Sequence, residues 1–174
     1  MNPKIKSLLF GGPGTGTPLS DLALAVVRVS IGLLIALGHG KGKLFHDGTI
    51  GIPEQLVQGT AKLGFPAPTF FAWCSVLAEF LCGILVAIGL FTRPAAAILV
   101  VNMAVAAFGA HLQAPIVSSG GGPSKEAALL YLLPFLLFAF TGAGHFSADG
   151  MIRTMKPMTE HAGALRDFNR LPNR

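Results

Sequence analysis

Charged residues are scarce in this chain. Only 12% of its 174 residues are Asp, Glu, Lys or Arg, 52% are hydrophobic, and the mean hydropathy is +0.62. Soluble domains carry about 25% charged residues, so the composition indicates an integral membrane protein of one domain. The net charge of +5 does not indicate nucleic-acid binding, because the basic residues are not clustered on one groove-reading element. In a membrane protein, an excess of Lys and Arg more often sets the topology.

Cysteine is scarce as well. Cys74 and Cys82 lie in the same apolar run. In a helix their separation is about 12 Å of rise, whereas a disulfide needs Cα atoms within about 7 Å. The chain has no C-x-x-C pair, so a membrane thiol oxidoreductase of that type is not expected. It also has no Ser/His/Asp triad pattern and no dense carboxylate cluster.

The glycine-rich leader, LLFGGPGTGTP, lacks the side chains that a nucleotide-binding loop needs. Gly11 and Gly16 align with the two glycines of the motif GxxxxGK[ST]. Thr17 then takes the lysine position and Pro18 takes the Ser/Thr position. The loop has neither the cation that binds phosphates nor the hydroxyl that binds magnesium. We therefore expect no nucleotide, and we interpret residues 1–20 as a flexible cytoplasmic leader.

The same leader matches a secretory signal peptide only in part. Lys4 and Lys6 could form its basic region, and Ala36–Gly38 resembles a cleavage site. The apolar stretch, however, begins far from the lysines and contains Arg28. These flanks favour an uncleaved first membrane span.

Four apolar runs approach or reach the roughly 20 residues that a helix needs to cross a bilayer. They are Leu19–Gly38, Ala67–Leu90, Ala95–Leu112 and Ala127–Ala143. Pro134 is expected to kink the last run. The predicted fold is an all-α integral membrane protein, an antiparallel four-transmembrane-helix bundle over residues 21–150.

The connections refine this fold. The loop between the first two runs contains a short amphipathic stretch, which predicts a helix lying in the membrane interface. Its apolar residues are Leu56, Val57, Ala61 and Leu63. Only FTRP joins the second and third runs, so these two helices are expected to be antiparallel neighbours.

Basic residues predict the orientation of the bundle. With four spans, both termini share one side, which carries Lys4, Lys6, Arg93, Arg153, Lys156, Arg166, Arg170 and Arg174. The opposite side carries Lys41, Lys43, Lys62 and Lys125. By the positive-inside rule, we expect both termini, including a basic tail at 151–174, in the cytoplasm.

Three polar residues fall at membrane depth. By helical rise, Arg28 lies about 10 Å into the first span, Asn102 about 12 Å into the third and Glu79 about 18 Å into the second. We predict a buried Arg28–Glu79 ion pair, with Asn102 satisfying the remaining hydrogen bonds. Such a pair can fix helix register or handle protons, and the residues leave both roles open.

A second polar group is predicted near the non-cytoplasmic surface. His39 ends the first span, His111 ends the third and Glu126 begins the fourth. Two histidines on neighbouring helices could ligate haem or a metal, although a bare pair is a weak metal signal. They could also bind a quinone headgroup, with Glu126 orienting an imidazole or accepting its proton. In the remaining interpretation, the histidines lie at the membrane interface and form hydrogen bonds with lipid headgroups and water.

Several segments, taken in order, carry a family resemblance. They are RVSIGLLIALGHGKGKLF, LGFPAPTFFAWCSVLAEFLCGILVAIGLFTRPAA, a third run with Met103, Ala106 and His111, the stretch 122–126, and the closing GAGHFSADG. Their order and spacing over about residues 22–150 resemble the DoxX family of small four-helix bacterial membrane proteins. His145 and Ala148 depart from it, because arginine and leucine are usual there. A phosphate- or lipid-binding role for that arginine is therefore not expected here.

The resemblance implies two links, one to quinone-dependent sulfur oxidation as a subunit of a thiosulfate:quinone oxidoreductase and one to complexes that defend against oxidative stress. We therefore predict a quinone-linked redox subunit of a bacterial inner membrane, in contact with lipid and with other subunits or further copies of itself. A non-catalytic anchor is the alternative, with Gly32, Gly83 and Ala87 as a docking surface for partner helices. A small transporter ranks last, because no inverted repeat is apparent.

Overall fold

The computed structural model of the protein describes Ile5, Leu9 and residues 16–46, 48–118 and 120–154. Most of the predicted leader 1–20, and the predicted tail 151–174 from residue 155 onward, lie outside the described residues. The described part of the chain is mostly helical. Three of its helices are long and apolar enough to cross a membrane.

The first helix, α1, runs from Pro18 to Leu44. It comprises α-helical Pro18–Leu33, a π-helical segment Leu34–Gly40 and α-helical Lys41–Leu44. The Thr17 side chain caps its N-terminus by accepting a hydrogen bond from the backbone N–H of Ser20. Pro18 fits the first turn because the N–H that it lacks would have no partner there. The helix thus continues six residues beyond the predicted end at Gly38, from residue 39 to residue 44.

A short antiparallel pair of strands and a small helix follow α1. Strand β1, Phe45–His46, pairs with β2, Thr49–Ile50. Helix α2 spans Glu54–Lys62 and packs against the next long helix. The short helix predicted in this loop is therefore confirmed.

Helices α3 and α4 form the second and third predicted spans. Helix α3 covers Pro68–Ile88 and contains the π-helical segment Ala78–Cys82. Gly89 ends it in a left-handed conformation, with a φ of 73° that glycine adopts without strain. Helix α4 covers Thr92–Ala110, and its last turn, Ala106–Ala110, is also π-helical.

Two further helices complete the described chain. Helix α5 spans Glu126–Thr141, contains Pro134 and packs most extensively on α4. Its 16 residues rise about 24 Å, short of a hydrocarbon core of about 30 Å. Helix α6 spans Ala148–Thr154. The fourth span and the antiparallel bundle therefore stay predictions.

Helices α1 and α3 approach each other closely through small residues. A Cβ at Gly32 would lie 2.7 Å from the Ala87 nitrogen and 2.7 Å from the Gly83 oxygen. A Cβ at Gly83 would lie 2.8 Å from Cγ2 of Ile35. The predicted docking surface of Gly32, Gly83 and Ala87 is therefore wrong, because these residues are buried between two helices of the same chain.

The apolar core lies where α1, α3, α4 and α5 meet. Its largest fully buried side chains include Ile35, Val86, Leu99, Phe135 and Phe138. Polar side chains flank this core at two separate levels, and one of these levels contains a cavity.

Candidate functional site

A buried carboxylate is the centre of the first polar cluster. Nζ of Lys43 lies 2.6 Å from Oε1 and 2.7 Å from Oε2 of Glu79. Nδ2 of Asn102 donates to the same Oε1 over 3.2 Å. The Glu79 side chain is 4% exposed, whereas that of Lys43 is 33% exposed. A carboxylate at this depth of a membrane helix is stabilised only by such partners, so the cluster is a candidate functional site.

Helix geometry brings these three side chains together. A Cβ at Gly40 would lie 2.6 Å from the backbone nitrogen of Phe80. Glycine at this position lets the end of α1 rest directly on the π-helical segment of α3, and Lys43 follows one turn later. Glu79 itself belongs to that π-helical segment. Interruptions of this type occur frequently at functional sites.

A cavity of about 410 Å³ opens beside the cluster. Lys43, Glu79 and Asn102 form its polar end, and helix α2 contributes Leu56, Gly59 and Thr60 to its wall. The other lining residues are mostly apolar and come from α3, α4 and the loop before α3: Phe65, Phe71, Ala78, Ile98, Val101, Val105, Ala106 and Ala110. The volume is in the range of small-molecule sites, about 300–1,000 Å³.

A few additional polar groups line the cavity. His111 follows the π-helical end of α4 and is half-buried, and Ser75 and Cys74 lie one turn before Glu79 on α3. The Thr60 hydroxyl donates to the Leu56 carbonyl and is therefore satisfied within α2. The arrangement of a largely apolar chamber with a few convergent polar groups is typical of a binding site for an amphiphilic molecule.

The predicted Arg28–Glu79 pair is wrong, although both residues are buried as predicted. Nη1 of Arg28 donates to the carbonyls of Val86 and Ala87 over 2.9 and 2.7 Å. Nη2 donates to the carbonyl of Phe146 over 2.7 Å. Val86 and Ala87 lie in the last turn of α3, where carbonyls lack the regular helical hydrogen bond and the helix dipole is negative. The Val86 carbonyl also accepts from the backbone N–H of Gly89 over 3.0 Å. The Val86 and Ala87 acceptors lie about two helical turns after Glu79 on α3, so they hold the guanidinium away from the Glu79 carboxylate. Asn102 was predicted to satisfy the hydrogen bonds that the Arg28–Glu79 pair leaves over, and among the described residues it donates to Glu79 alone.

Arg28 belongs to a second polar cluster, where the GAGHFSADG segment meets the turn between α3 and α4. Both oxygens of Asp149 accept hydrogen bonds from backbone N–H groups, from Phe91 over 2.8 Å and from Thr92 over 2.9 Å. Asp149 thereby caps the N-terminus of α4. The side chain of Asp149 is almost fully buried, and this cluster is a structural clamp.

His145 and Asp21 extend that clamp. Nδ1 of His145 lies 2.8 Å from Oδ2 of Asp21, which is buried near the start of α1. The histidine that stands in place of the family's usual arginine therefore joins the closing segment to α1 through a buried carboxylate.

The predicted site of His39, His111 and Glu126 is not assembled as a unit. Only His111 lines the cavity. The His39 ring is exposed and meets Tyr131 edge-on, with 5.2 Å between ring centroids. Glu126 is exposed in the first turn of α5. Among the described residues, no group of three or more His, Cys, Asp and Glu side chains is arranged to hold a metal ion.

Sequence reasoning missed Lys43 and Asp149. Lys43 lies beyond the predicted end of the first span, so the sequence places it among the loop charges. Its conspicuous place in HGKGKLF was the available signal, because that segment contributes to the family resemblance. Asp149 lies in GAGHFSADG, which also contributes to the resemblance, but its backbone N–H partners could not be read from the sequence.

Comparisons with known proteins agree with the membrane character of the fold. The DoxX family model matches residues 23–112. An uncharacterized protein of Haemophilus influenzae is 35% identical in an alignment of 132 positions that covers 72% of this chain and 87% of the relative. An uncharacterized membrane protein of Mycobacterium tuberculosis is 31% identical in an alignment of 134 positions that covers 71% of this chain and 77% of the relative.

The inner membrane protein YphA of Escherichia coli is 29% identical in an alignment of 131 positions that covers 72% of this chain and 87% of the relative. No solved structure matches the chain significantly.

Proposed function

This chain belongs to the DoxX family of membrane proteins, and from this membership we propose that it is a quinone-binding subunit of a membrane redox complex. One observation carries the proposal. A cavity of about 410 Å³ joins apolar walls to a buried cluster of a carboxylate, an amine and an amide. A quinone has matching polar and apolar parts, because its ring and tail are apolar and its two carbonyl oxygens accept hydrogen bonds.

The polar end of the cavity has N–H donors that could bind a carbonyl oxygen. An ammonium group has three N–H donors, and Lys43 uses two of them on the oxygens of Glu79. An amide has two N–H donors, and Asn102 uses one on the same carboxylate. Each side chain thus keeps one N–H without a partner among the described residues. Both N–H groups belong to side chains that line the cavity.

Glu79 and His111 supply groups that can carry protons. Reduction of a quinone to a quinol consumes protons as well as electrons. In this proposal, the electrons come from a redox partner in the complex. Glu79, held beside the headgroup, exchanges a proton with it, and His111 lies on the wall of the same cavity. His39 and Glu126, which are exposed, lie outside this binding site.

A membrane anchor is the second candidate function, and one observation favours it. Helix α1 exposes large apolar side chains along much of its length, including Val26, Val27, Leu34 and Leu37. Such a surface suits lipid or the helix of a partner subunit. Affinity purification followed by mass spectrometry tests this role, since an anchor copurifies with a partner but carries no bound quinone.

The orientation of the protein completes the proposal. We infer a fourth span through α5, an antiparallel bundle and cytoplasmic termini, supported by the two-to-one excess of basic residues on the terminal side. A C-terminal green fluorescent protein should then fluoresce, and a C-terminal alkaline phosphatase should stay inactive. The opposite pair of results would reverse the orientation.

Quantification of bound quinone tests the function. The protein is purified from native membranes in mild detergent, and the extracted quinone is measured by mass spectrometry. Wild-type protein should retain quinone in stoichiometric amounts, and Glu79→Gln should retain much less. Glu126→Gln is the matched control, because Glu126 is exposed on α5. Equal, background amounts in all three proteins would contradict the proposal.

A further inference from the structure

The outer end of the cavity lies on an exposed apolar surface. Ile98 and Val101 of α4 line the cavity, yet they are 50% and 64% exposed. Across the opening, Cys74 of α3 also lines the cavity and is exposed. Both helices are apolar enough to cross a membrane, so this opening faces acyl chains.

Helix α2 covers another side of the cavity. Leu56, Gly59 and Thr60 of α2, together with Leu63 just after it, form part of the wall. A Cβ at Gly109 of α4 would lie 3.3 Å from a methyl group of Leu63, so the end of this wall packs against α4. The exposed lining residues Cys74, Ile98 and Val101 mark an opening between α3 and α4.

Polarity changes between this opening and the inner end of the cavity. At the inner end, the Glu79 side chain is 4% exposed and is held by Lys43 and Asn102. At the outer end, Ile98 and Val101 offer only apolar atoms. A molecule that matches both ends has a hydrogen-bonding head that points inward and an apolar tail that stays among lipids.

We propose that the gap walled by Cys74, Ile98 and Val101 is a lateral portal, through which a lipid-dissolved ligand with a carbonyl head and a long apolar tail enters from the bilayer. This inference rests on the proposed quinone function for the identity of the head. The position and openness of the portal are independent of that identity. The portal makes the membrane, rather than the aqueous phase, the source of the ligand.

Spin labelling at Cys74 tests the opening without any ligand. Cys82, which is buried, is first replaced by alanine so that only Cys74 carries the label in lipid nanodiscs. Oxygen, which concentrates in lipid, should relax the label strongly, and a water-soluble nickel chelate should relax it weakly. If the nickel chelate reaches the label as readily as oxygen does, the opening faces water and the portal is wrong, whatever the protein binds.

A bulkier side chain in the portal tests whether a long-tailed ligand occupies it. Val101→Phe should weaken binding of a long-tailed quinone at least tenfold, while a tailless quinone with the same ring keeps its affinity within twofold. Leu133→Phe is the control, because Leu133 is 62% exposed on α5 and does not line the cavity. Equal effects on both quinones, or an effect on neither, would overturn the portal. Failure of the wild-type protein to bind either quinone would instead contradict the proposed function, and the spin-label result would still decide whether the cavity opens to lipid.

Discussion

At the scale of single residues, the Lys43–Glu79 pair gives the sharpest prediction. Lys43→Met leaves the carboxylate of Glu79 buried without its counter-charge, so we expect a loss of about 2–3 kcal/mol in the free energy of unfolding. The double variant Lys43→Met/Glu79→Leu removes both charges and should recover part of that loss. Chemical denaturation in detergent micelles, read as a double-mutant cycle, measures the coupling, which should be at least about 1 kcal/mol.

Lys41→Met is the matched control for this cycle. Lys41 lies two positions away on the same helix, is exposed and does not line the cavity. Its replacement should change the free energy of unfolding by less than about 0.5 kcal/mol. Strictly additive effects of the Lys43 and Glu79 substitutions would show that the observed pair contributes nothing to stability.

Residue burial was easier to predict than residue partners. Arg28 and Glu79 were correctly predicted to be buried, since a charge within an apolar run faces a protein interior. Their pairing was wrong, because three backbone carbonyls accept the N–H groups of Arg28 and such partners leave no trace in the sequence. Asn102 was predicted only to complete the hydrogen bonds of that pair, and it does so for Glu79, because a short amide on the neighbouring helix reaches only groups at its own level.

At the scale of helices, the contact of Gly40 with α3 positions the site. Gly40→Ala places a Cβ 2.6 Å from the backbone nitrogen of Phe80, which forces the helices apart. We expect a loss of about 2 kcal/mol or more in the free energy of unfolding. The substitution should also weaken quinone binding, since Lys43 moves with the end of α1. Thermal unfolding and quinone titration measure the two effects.

Gly42→Ala is the control for the same helix. A Cβ at Gly42 meets no atom within 4 Å, and alanine favours a helix over glycine by about 1 kcal/mol. This variant should therefore be as stable as the wild type or more so. Equal destabilisation by the two substitutions would contradict a role for the close contact at Gly40.

Helix positions could be predicted from hydrophobic runs, whereas the end of α1 could not. The stretch HGKGKLF has two glycines and two lysines, a composition that usually ends a membrane helix. Here the helix continues because Gly40 packs on Phe80 and Lys43 reaches Glu79. Both contacts join segments that are about 40 residues apart in the chain, and one sequence alone does not reveal such pairings.

At the scale of the whole molecule, the two polar clusters lie at different levels and differ in structure. Arg28 and Lys43 lie on the same helix, separated by about 22 Å of rise. At one level, Arg28 and Asp149 clamp the closing segment onto the turn between α3 and α4. At the other level, Lys43, Glu79 and Asn102 border a cavity. The sequence resemblance predicted the family, while the separation of a clamp at one level from a cavity at the other required the structure.

Fluorescence of Trp73 tests the central claim, that the cavity binds a quinone, most directly. Trp73 is the single tryptophan of the chain and precedes Cys74, which lines the cavity. Titration of the purified wild-type protein with a quinone should quench this fluorescence to a saturating level. Lys43→Met should need about tenfold more quinone, as expected for the loss of a charged hydrogen bond, while Lys41→Met should match the wild type. A linear quench without saturation, or identical curves for all three proteins, would contradict quinone binding in this cavity.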